Sequence, residues 1–415
     1  MMLSCRVFQL TANPFRPTSE FSCLAYTDGD NDVKVALRVL GTFTDITKYP
    51  IEALIHHHAV ALADRLLRDS TPTGAGRTRR AVDPYSAIES ALVAIMFEVC
   101  FGAAGDGDRL LYAEIMQMLH DMRAVLPTVQ SIDMMPWLAP FLRGPLQRYT
   151  TSLRRSHQLT RAKIDAVVSS GVPDTPTCVV HALHHACLAK LVNDVDGAQC
   201  ARIMTIVEDL VGADSETVVH FVHWVILYAA KYPDIVQERV RDEIARTIGW
   251  TSTPVAADRG RMPYTEACLW EIMRHGCLTA MSIPHSALSD VVIAGYRVPA
   301  GTTVFVNLYS TGWDPDVWGD PATFRPERFL KPDGSQVDRE VVKQFMCFGT
   351  GRRRCPGAQL GTLQTFIFFV VLMQRCAFSA PHGRELSIDG KFVMTNRAND
   401  YEVVVQAAAN DGVTN

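Results

Sequence analysis

Three observations predict a mainly α-helical fold with small β-sheets. Long helix-compatible segments fill the first two thirds of the chain, and one of them, Cys200–Lys231, is apolar almost all round. After Ile283 the sequence changes to short β-prone pieces separated by turns. A last apolar segment, Ala358–Gln374, is typical of a buried helix. With 415 residues and 48% hydrophobic content, the chain can bury a large core, as one α-rich unit or as two domains.

Individual helices are marked by their ends and their periodicity. Asp83 followed by Pro84 supplies an N-cap and a first-turn proline for the helix "PYSAIESALVAIMFEVCF". At ~1.5 Å per residue, Cys200–Lys231 would span roughly 45 Å, enough to cross a whole domain. Pro233–Gly249 alternates apolar and charged residues at helical spacing, which predicts an amphipathic helix with one face in solvent.

Composition excludes several classes of protein. A net charge of −4 gives no basic field, which argues against a nucleic-acid partner. The 11 cysteines include no CxxC pair, so we expect reduced thiols in a protein that faces the cytosol. No run of 18 apolar residues predicts a transmembrane helix, and the start is too polar for a signal peptide. Turn formers at Thr71–Arg80 and Ser169–Thr177 predict flexible links, and we find no internal repeat.

The stretch "FGTGRRRCPG" places one cysteine, Cys355, behind three arginines and between glycines. A lone cysteine is most often a small buried hydrophobe, and an arginine run is most often a solvated face. Neither explains Gly349, Gly351 and Gly357, which allow positive φ or a close approach to a bulky neighbour. Because a helix follows at once, its N-terminus and the nearby arginines predict a stabilised thiolate at Cys355. Such a thiolate is either a nucleophile or a metal ligand.

A polar segment interrupts the long apolar helix. Asp214, Glu216 and Thr217 stand among hydrophobic residues, and mid-helix hydroxyls can bond the i−4 carbonyl. One interpretation is a helix face turned to water. The other is a watered proton path into a buried site, because carboxylates among apolar residues are costly unless they are paired or wetted.

A possible charge network links two distant segments. Glu271 and Arg274 stand at i, i+3, so both point to one face of a helix. Such i, i+3 charge pairs are common on the surfaces of helices. If Arg328, in the turn-rich segment "FRPERF", folds back onto Glu271, the three charges form a buried network that pins a long loop to the helix.

Together these motifs resemble those of the cytochrome P450 superfamily, the haem-thiolate monooxygenases. The cysteine loop fits the family pattern F-x-x-G-x-R-x-C-x-G, at Phe348, Gly351, Arg353, Cys355 and Gly357. The family's E-x-x-R pair and its P-E-R-F segment follow the same order and spacing here. The similarity runs from about Asp83 to the C-terminus. The sequence around these motifs resembles the microsomal animal type of the family, nearest the aryl-hydrocarbon and steroid 17α-hydroxylase branch. This resemblance implies one cytochrome P450 domain over residues 1–415, without the usual N-terminal anchor and first elements.

The resemblance implies haem b as cofactor, with the Cys355 thiolate as axial ligand of its iron. Arg353 and His285 match residues that bond the haem propionates. The family's W-x-x-x-R helix lacks its tryptophan here, so Arg38 is a stand-in without an aromatic partner. The predicted cofactor-binding set is Cys355, Arg353, His285, Arg38, Phe348, Gly349 and Gly357.

By the same resemblance, Glu216 and Thr217 match the acid–alcohol pair that holds water and delivers protons for dioxygen reduction. The family usually has Ala-Gly before this pair, whereas this chain has Ala213-Asp214. An aspartate there could narrow the dioxygen groove or add a proton-relay group. The predicted proton-delivery residues are therefore Thr217, Glu216 and Asp214.

The residues expected to line the substrate pocket are assigned by their position in the family. For each of them, ordinary core packing is the alternative. The set is small and largely apolar, which suits a flat or bulky lipophilic substrate, aromatic or steroid-like. It consists of Val211, Gly212, Ala213, Ala280, Met281, Phe392 and Val393. Cys347 and the arginines at 352–354 would lie on the face that docks an acidic electron donor.

The leading hypothesis is a monooxygenase that receives electrons from NADPH through NADPH–cytochrome P450 reductase, with cytochrome b5 as an optional second donor. One alternative is a haem enzyme that rearranges a peroxide or dehydrates its substrate without a reductase. Another is a non-catalytic haem binder or an incompletely folded truncated product. The resemblance implies the cytosolic face of the endoplasmic reticulum membrane, and the lack of a recognisable anchor in these residues leaves a cytoplasmic location open.

Overall fold

The computed structural model describes residues 39, 41, 50–72, 79–103, 105, 108–141, 143–188, 198–283, 285–351, 354–392 and 395–409. Helices dominate these residues, and the strands form small antiparallel sheets, so the predicted fold class is confirmed. None of the described helices combines the length and hydropathy that a bilayer crossing requires.

Twelve α-helices lie within the described residues. They are α1 (Ile51–Asp69), α2 (Tyr85–Phe101), α3 (Arg109–Met134), α4 (Arg143–Ser169), α5 (Val179–Leu188), α6 (Ala198–Lys231), α7 (Arg239–Thr247), α8 (Pro263–Gly276), α9 (Leu308–Trp313), α10 (Pro315–Trp318), α11 (Arg339–Gln344) and α12 (Ala358–Arg375). Short 3-10 helices occupy Pro136–Phe141, Ala256–Arg261 and Pro326–Phe329, and a π-helical turn occupies Pro233–Glu238.

The strands of the described part are short and pair antiparallel. They are β1 (Ala81–Val82), β2 (His285–Ser286), β3 (Val291–Ile293), β4 (Tyr296–Val298), β5 (Thr303–Val304), β6 (Cys376–Ser379), β7 (Gly390–Phe392), β8 (Asn396–Ala398) and β9 (Val403–Ala407). One sheet has the order β1-β9-β6, and the others are the pairs β2-β5, β3-β4 and β7-β8. In the first sheet Val403 lies opposite Val82, and Val405 lies opposite Phe378.

Most predicted elements agree with the structure. Asp83 accepts a hydrogen bond from the Tyr85 N–H (2.8 Å), where α2 begins. The long helix is α6, and the last apolar helix is α12. The predicted helix at Pro233–Gly249 differs, because a π-helical turn precedes the shorter α7. The predicted link at Thr71–Arg80 falls partly outside the described residues.

The chain divides into two compact units. Unit 1 comprises Met1–Ala61, Ser86–Val219 and Gln359–Gly361, and its described elements are helical, with α3 packed on α4. Unit 2 comprises Leu62–Tyr85, His220–Ala358 and Thr362–Asn415 and contains the described strands. A single domain over the whole chain stays a prediction.

Several aromatic side chains lie in the core of unit 2. Phe366, Phe368 and Phe369 of α12 are fully buried, which explains why this helix is apolar on every face. Each buried phenylalanine contributes about 1.5–3 kcal/mol from the area removed from water. Trp224 of α6 is also buried, and its indole N–H donates to the Asn396 carbonyl (2.9 Å).

A buried histidine in unit 2 makes stability depend on pH. The His223 ring stacks on Tyr401 (centroids 4.3 Å apart), and neither ring nitrogen has a hydrogen-bond partner among the described residues. Burial, with a smaller effect from Arg397, lowers the pKa of His223 to about 3. Between that value and the unfolded pKa of about 6.5, the unfolded chain binds a proton that the folded chain does not, so stability falls as pH falls.

We expect His223→Phe to remove this dependence, because phenylalanine keeps the ring contact and cannot bind a proton. Between pH 7 and pH 5, the unsubstituted protein should lose about 2 kcal/mol more unfolding free energy than the variant. Urea unfolding at both pH values measures the difference. The exposed His382 supplies the matched control, His382→Phe. Equal acid sensitivity of the His223 variant and the unsubstituted protein contradicts the assignment.

Candidate active site

A tight loop presents Cys355 just before α12. Gly349 and Gly351 have φ of +68° and +70°, the left-handed region that side chains with a Cβ rarely adopt. The loop closes when the Cys355 N–H donates to the Phe348 carbonyl (2.8 Å). The Gly357 N–H, next to the first residue of α12, donates a hydrogen bond to the Cys355 sulfur. The glycines therefore shape a turn that holds a single thiol at the start of a helix.

Cys355 is exposed, yet the surrounding protein still raises the pKa of its thiol. Loss of solvation is the larger cause, and the hydrogen bond from Gly357 opposes it. The predicted stabilisation also involves Arg352 and Arg353, which lie outside the described residues, so a thiolate at Cys355 stays a prediction. Deprotonation has to accompany the binding of a metal, as it does whenever a thiol becomes a ligand.

The donor set around Cys355 suits a metal that brings most of its own ligands. Within the described residues, no group of three or more His, Cys, Asp or Glu side chains could hold a metal ion. A Cβ placed on Gly351 or Gly357 would meet nothing within 4 Å, so the loop is open around these two glycines. One exposed sulfur on an open loop fits an iron porphyrin, which needs a single axial ligand from the protein.

The remaining predicted cofactor residues are only partly described. Arg353 and Arg38 lie outside the described residues. His285 lies in β2 opposite Val304 of β5, with an exposed side chain. The Phe348 ring packs edge-on against Trp270 (centroids 6.3 Å apart), which anchors the start of the cysteine loop to α8. A haem contact by His285 or Phe348 stays a prediction.

The polar segment of α6 is buried in the structure. Asp214 and Glu216 are 9% and 2% exposed, so this segment is not a helix face turned to water. Thr217 is half-buried, and its hydroxyl donates to the Ala213 carbonyl (2.9 Å). Ser215 makes the equivalent bond to the Val211 carbonyl (2.7 Å). These i−4 bonds hold both hydroxyls against their own helix and leave their oxygens able to accept.

Sequence reasoning missed a partner of Glu216. Arg123 on α3 places its Nε 3.0 Å from Glu216 Oε1, and its Nη2 donates to Glu89 of α2. The three side chains belong to unit 1 and are at most about one-fifth exposed. Nothing in the sequence near Arg123 singles it out, because it stands in an otherwise ordinary helical pattern.

The structure brings Glu271, Arg274 and Arg328 together in unit 2. Arg274 donates to both carboxylate oxygens of Glu271, with Nε to Oε2 at 2.7 Å and Nη2 to Oε1 at 2.9 Å. Arg328 Nε donates to Glu271 Oε1 (3.1 Å). Both Glu271 and Arg274 are fully buried, and Arg274 also donates to the Gly312 and Pro321 carbonyls (2.6 and 2.9 Å). The network thus ties the segment from Gly312 to Arg328 onto α8.

The predicted pocket residues fall in both units. Val211 and Gly212 are buried and Ala213 is half-buried in unit 1. In unit 2, Ala280 is buried and Phe392 on β7 is 51% exposed. Met281 is half-buried in unit 2, and Val393 lies outside the described residues. A shared pocket stays a prediction. A separate cavity of about 420 Å³ in unit 2 is lined by charged side chains, among them Arg259 and Glu266, and by none of the predicted residues.

The loop before α12 thus leaves one exposed cysteine sulfur at the start of a helix. The family model for cytochrome P450 matches residues 22–403, so the chain belongs to the cytochrome P450 family. The resemblance predicted from the sequence is therefore confirmed. Membership implies haem b as the cofactor.

Curated relatives agree with the predicted animal type. Cytochrome P450 1A2 of Callithrix jacchus is 28% identical over 347 residues, covering 83% of this chain and 66% of that protein. Cytochrome P450 1A5 of Gallus gallus is 28% identical over 309 residues, covering 74% and 58%. Cytochrome P450 1A1 of Microgadus tomcod is 29% identical over 351 residues, covering 82% and 68%. The chain thus spans roughly three fifths to two thirds of the length of these relatives.

Proposed function

We propose that this protein is a haem-thiolate monooxygenase. It inserts one oxygen atom of O2 into a lipophilic molecule and reduces the other to water with two electrons from NADPH, delivered by a reductase. The observation that carries the proposal is the exposed Cys355 thiol, held by the Gly357 N–H in a glycine-shaped loop at the start of α12. Family membership adds independent support.

Haem, when bound, supplies the redox chemistry of dioxygen, and the chain supplies ligation, orientation and proton delivery. Cys355 would hold the iron, and Gly357 would orient the sulfur and reduce its charge through a hydrogen bond. Arg353, His285 and Arg38 remain the proposed partners of the propionates. Phe348 and Gly349 would keep the loop in shape.

Protons for the reduction of oxygen to water would come through the polar segment of α6. The Thr217 hydroxyl donates to the Ala213 carbonyl, so its oxygen can accept from a water. Glu216 is buried and ion-paired with Arg123, and its carboxylate is the proposed acid–base group next to Thr217. Asp214, also buried, lies three residues before Thr217 and extends this proposed path toward the start of α6.

Thr217→Ala is expected to uncouple NADPH oxidation from product formation. A positioned proton-transfer group contributes ~10²–10⁴-fold, so product formed per NADPH should fall by about tenfold or more while peroxide accumulates. Parallel assays of NADPH, product and peroxide measure this. Thr217→Ser keeps the hydroxyl and should keep the coupling. Ser215→Ala removes the neighbouring back-bonded hydroxyl and serves as the matched control. Unchanged coupling in Thr217→Ala contradicts the proposed proton path.

The substrate is proposed to be a lipophilic small molecule, aromatic or steroid-like, because the predicted pocket residues are apolar. NADPH–cytochrome P450 reductase, with cytochrome b5 as an optional second donor, is the proposed partner. The endoplasmic reticulum membrane is the proposed location. These three proposals rest on the family and on the animal relatives.

A second candidate is a reductase-independent isomerase, dehydratase or peroxygenase. The buried Asp214, at a position where the family usually has glycine, favours it, because a carboxylate there offers an acid–base group that rearrangement can use. Turnover tests separate the two. Product formation with NADPH and reductase, and none with peroxide alone, supports the monooxygenase. The reverse result supports the second candidate.

A further inference from the structure

Three side chains from three helices of unit 1 meet in one ion-pair cluster. Glu89 lies on α2, Arg123 on α3 and Glu216 on α6. Their side chains are 10%, 19% and 3% exposed. Glu89 and Arg123 lie 34 residues apart in the sequence, and Glu216 lies further along the chain. Only the packing of the three helices brings them together.

The guanidinium of Arg123 is held at each of its contacts. Its Nε–H donates to the Leu119 carbonyl one turn earlier on α3 (3.2 Å), which fixes the plane of the group. Its Nη2 donates to Glu89 Oε1, and its Nε lies 3.0 Å from Glu216 Oε1. Since Arg presents its donors in a rigid fork, these contacts leave it one orientation. The Glu216 carboxylate therefore faces a cation held on α3, at ion-pair distance from an Nε whose N–H donates to Leu119.

The backbone around Glu216 is fixed by α6 itself. Ser215 and Thr217, on either side, bond the carbonyls of Val211 and Ala213 (2.7 and 2.9 Å). Neither hydroxyl contact involves the Glu216 carboxylate. The helix thus sets where the side chain starts, and the cation on α3 sets where its charged end lies.

We propose that Arg123 is the positioning residue of the Glu216 carboxylate, and that Glu89 holds Arg123 in place. The half-buried cation directs the Glu216 side chain, so that the carboxylate can relay a proton beside Thr217. This inference rests on the proposed function, since it assigns Arg123 to proton delivery through Glu216. It adds a residue from a separate helix to that path.

Turnover tests the assignment with four variants. Arg123→Gln removes the charge and should lower kcat and product per NADPH by about tenfold, with KM within about twofold. Arg123→Lys keeps the charge and should restore part of the loss. Glu89→Gln frees the guanidinium and should give an intermediate loss. Arg155→Gln breaks another ion pair between α4 and α3, that of Arg155 with Glu114 (3.0 Å), and should change neither quantity.

A double-mutant cycle tests the pairing without turnover. Arg123→Gln, Glu216→Gln and the double variant are unfolded in urea. A pair in contact should give an interaction that changes the unfolding equilibrium constant by about tenfold, whereas independent sites add. An interaction within error of zero overturns the proposal.

The two proposals fail in distinguishable ways. Arg123→Gln with lower stability but unchanged kcat and coupling means a purely structural residue, and overturns the assignment of Arg123 alone. No turnover by the haem-loaded, unsubstituted protein, with either NADPH and reductase or peroxide, overturns the proposed function and the role of Arg123 with it. If Arg123→Gln does not fold, Arg123→Lys and Glu89→Gln decide by the same criteria.

Discussion

Replacement of Cys355 by alanine is expected to abolish haem-thiolate ligation completely. The described residues contain no cluster that could hold the metal instead, and the sulfur is the one soft donor that the glycine-shaped loop exposes. The variant should lose the thiolate-specific Soret band of the reduced, CO-treated protein and all turnover. Hemin titration followed by the CO difference spectrum measures both ligation and uptake.

Cys347→Ala is the matched control for this prediction. Cys347 lies eight residues earlier in the same segment, and burial raises the pKa of its thiol well above the usual range. Cys347 lies before the turn that the Phe348–Cys355 hydrogen bond closes and is less exposed than Cys355, so this variant should keep the thiolate Soret band. Retention of the band in Cys355→Ala, or its loss in Cys347→Ala, contradicts the ligand assignment.

Arg274→Gln is expected to lower the free energy of unfolding by about 3–5 kcal/mol. Removal of Arg274 leaves the fully buried Glu271 carboxylate with the Arg328 guanidinium and the Arg325 N–H, and an under-compensated buried charge is costly. It also removes the hydrogen bonds to the Gly312 and Pro321 carbonyls, so the segment tied to α8 should loosen. Urea unfolding measures the stability, and limited proteolysis between these residues measures the loosening.

Lys343→Gln tests whether burial, rather than the i, i+3 spacing, accounts for the loss of unfolding free energy expected in Arg274→Gln. Lys343 and Glu340 also stand at i, i+3 and are 2.7 Å apart, yet their side chains are 70% and 77% exposed. An exposed pair contributes ~0–1 kcal/mol, so this variant should be nearly neutral. Similar losses of unfolding free energy in Arg274→Gln and Lys343→Gln would contradict a larger contribution from the buried network.

Local patterns predicted what lies close together in the sequence. The Cys355 loop, the i, i+3 pair at Glu271 and Arg274, and the i−4 bonds of α6 each depend on a few consecutive residues. The β3–β4 hairpin was predicted as a β-prone piece, and its turn at Ala294 and Gly295 has φ of +49° and +85°. Short-range geometry was therefore accessible from residue type and spacing.

Effects that depend on packing were not accessible in the same way. Arg123 meets Glu216 only because α3 packs near α6 within unit 1, and no pattern along the chain encodes that meeting. The pKa of the Cys355 thiol was not accessible from residue type and spacing, because the loss of solvation that raises it depends on the atoms around the loop. The predicted continuous helix after Pro233 was wrong at its start, where a π-helical turn replaces the first α-helical turns.

The most direct test of the central claim is the CO difference spectrum of the unsubstituted protein after reconstitution with hemin. Cys355 as axial ligand predicts the Soret band that is specific to thiolate-bound haem iron. A protein that stays colourless, or one whose band is that of a nitrogen ligand, would contradict the account.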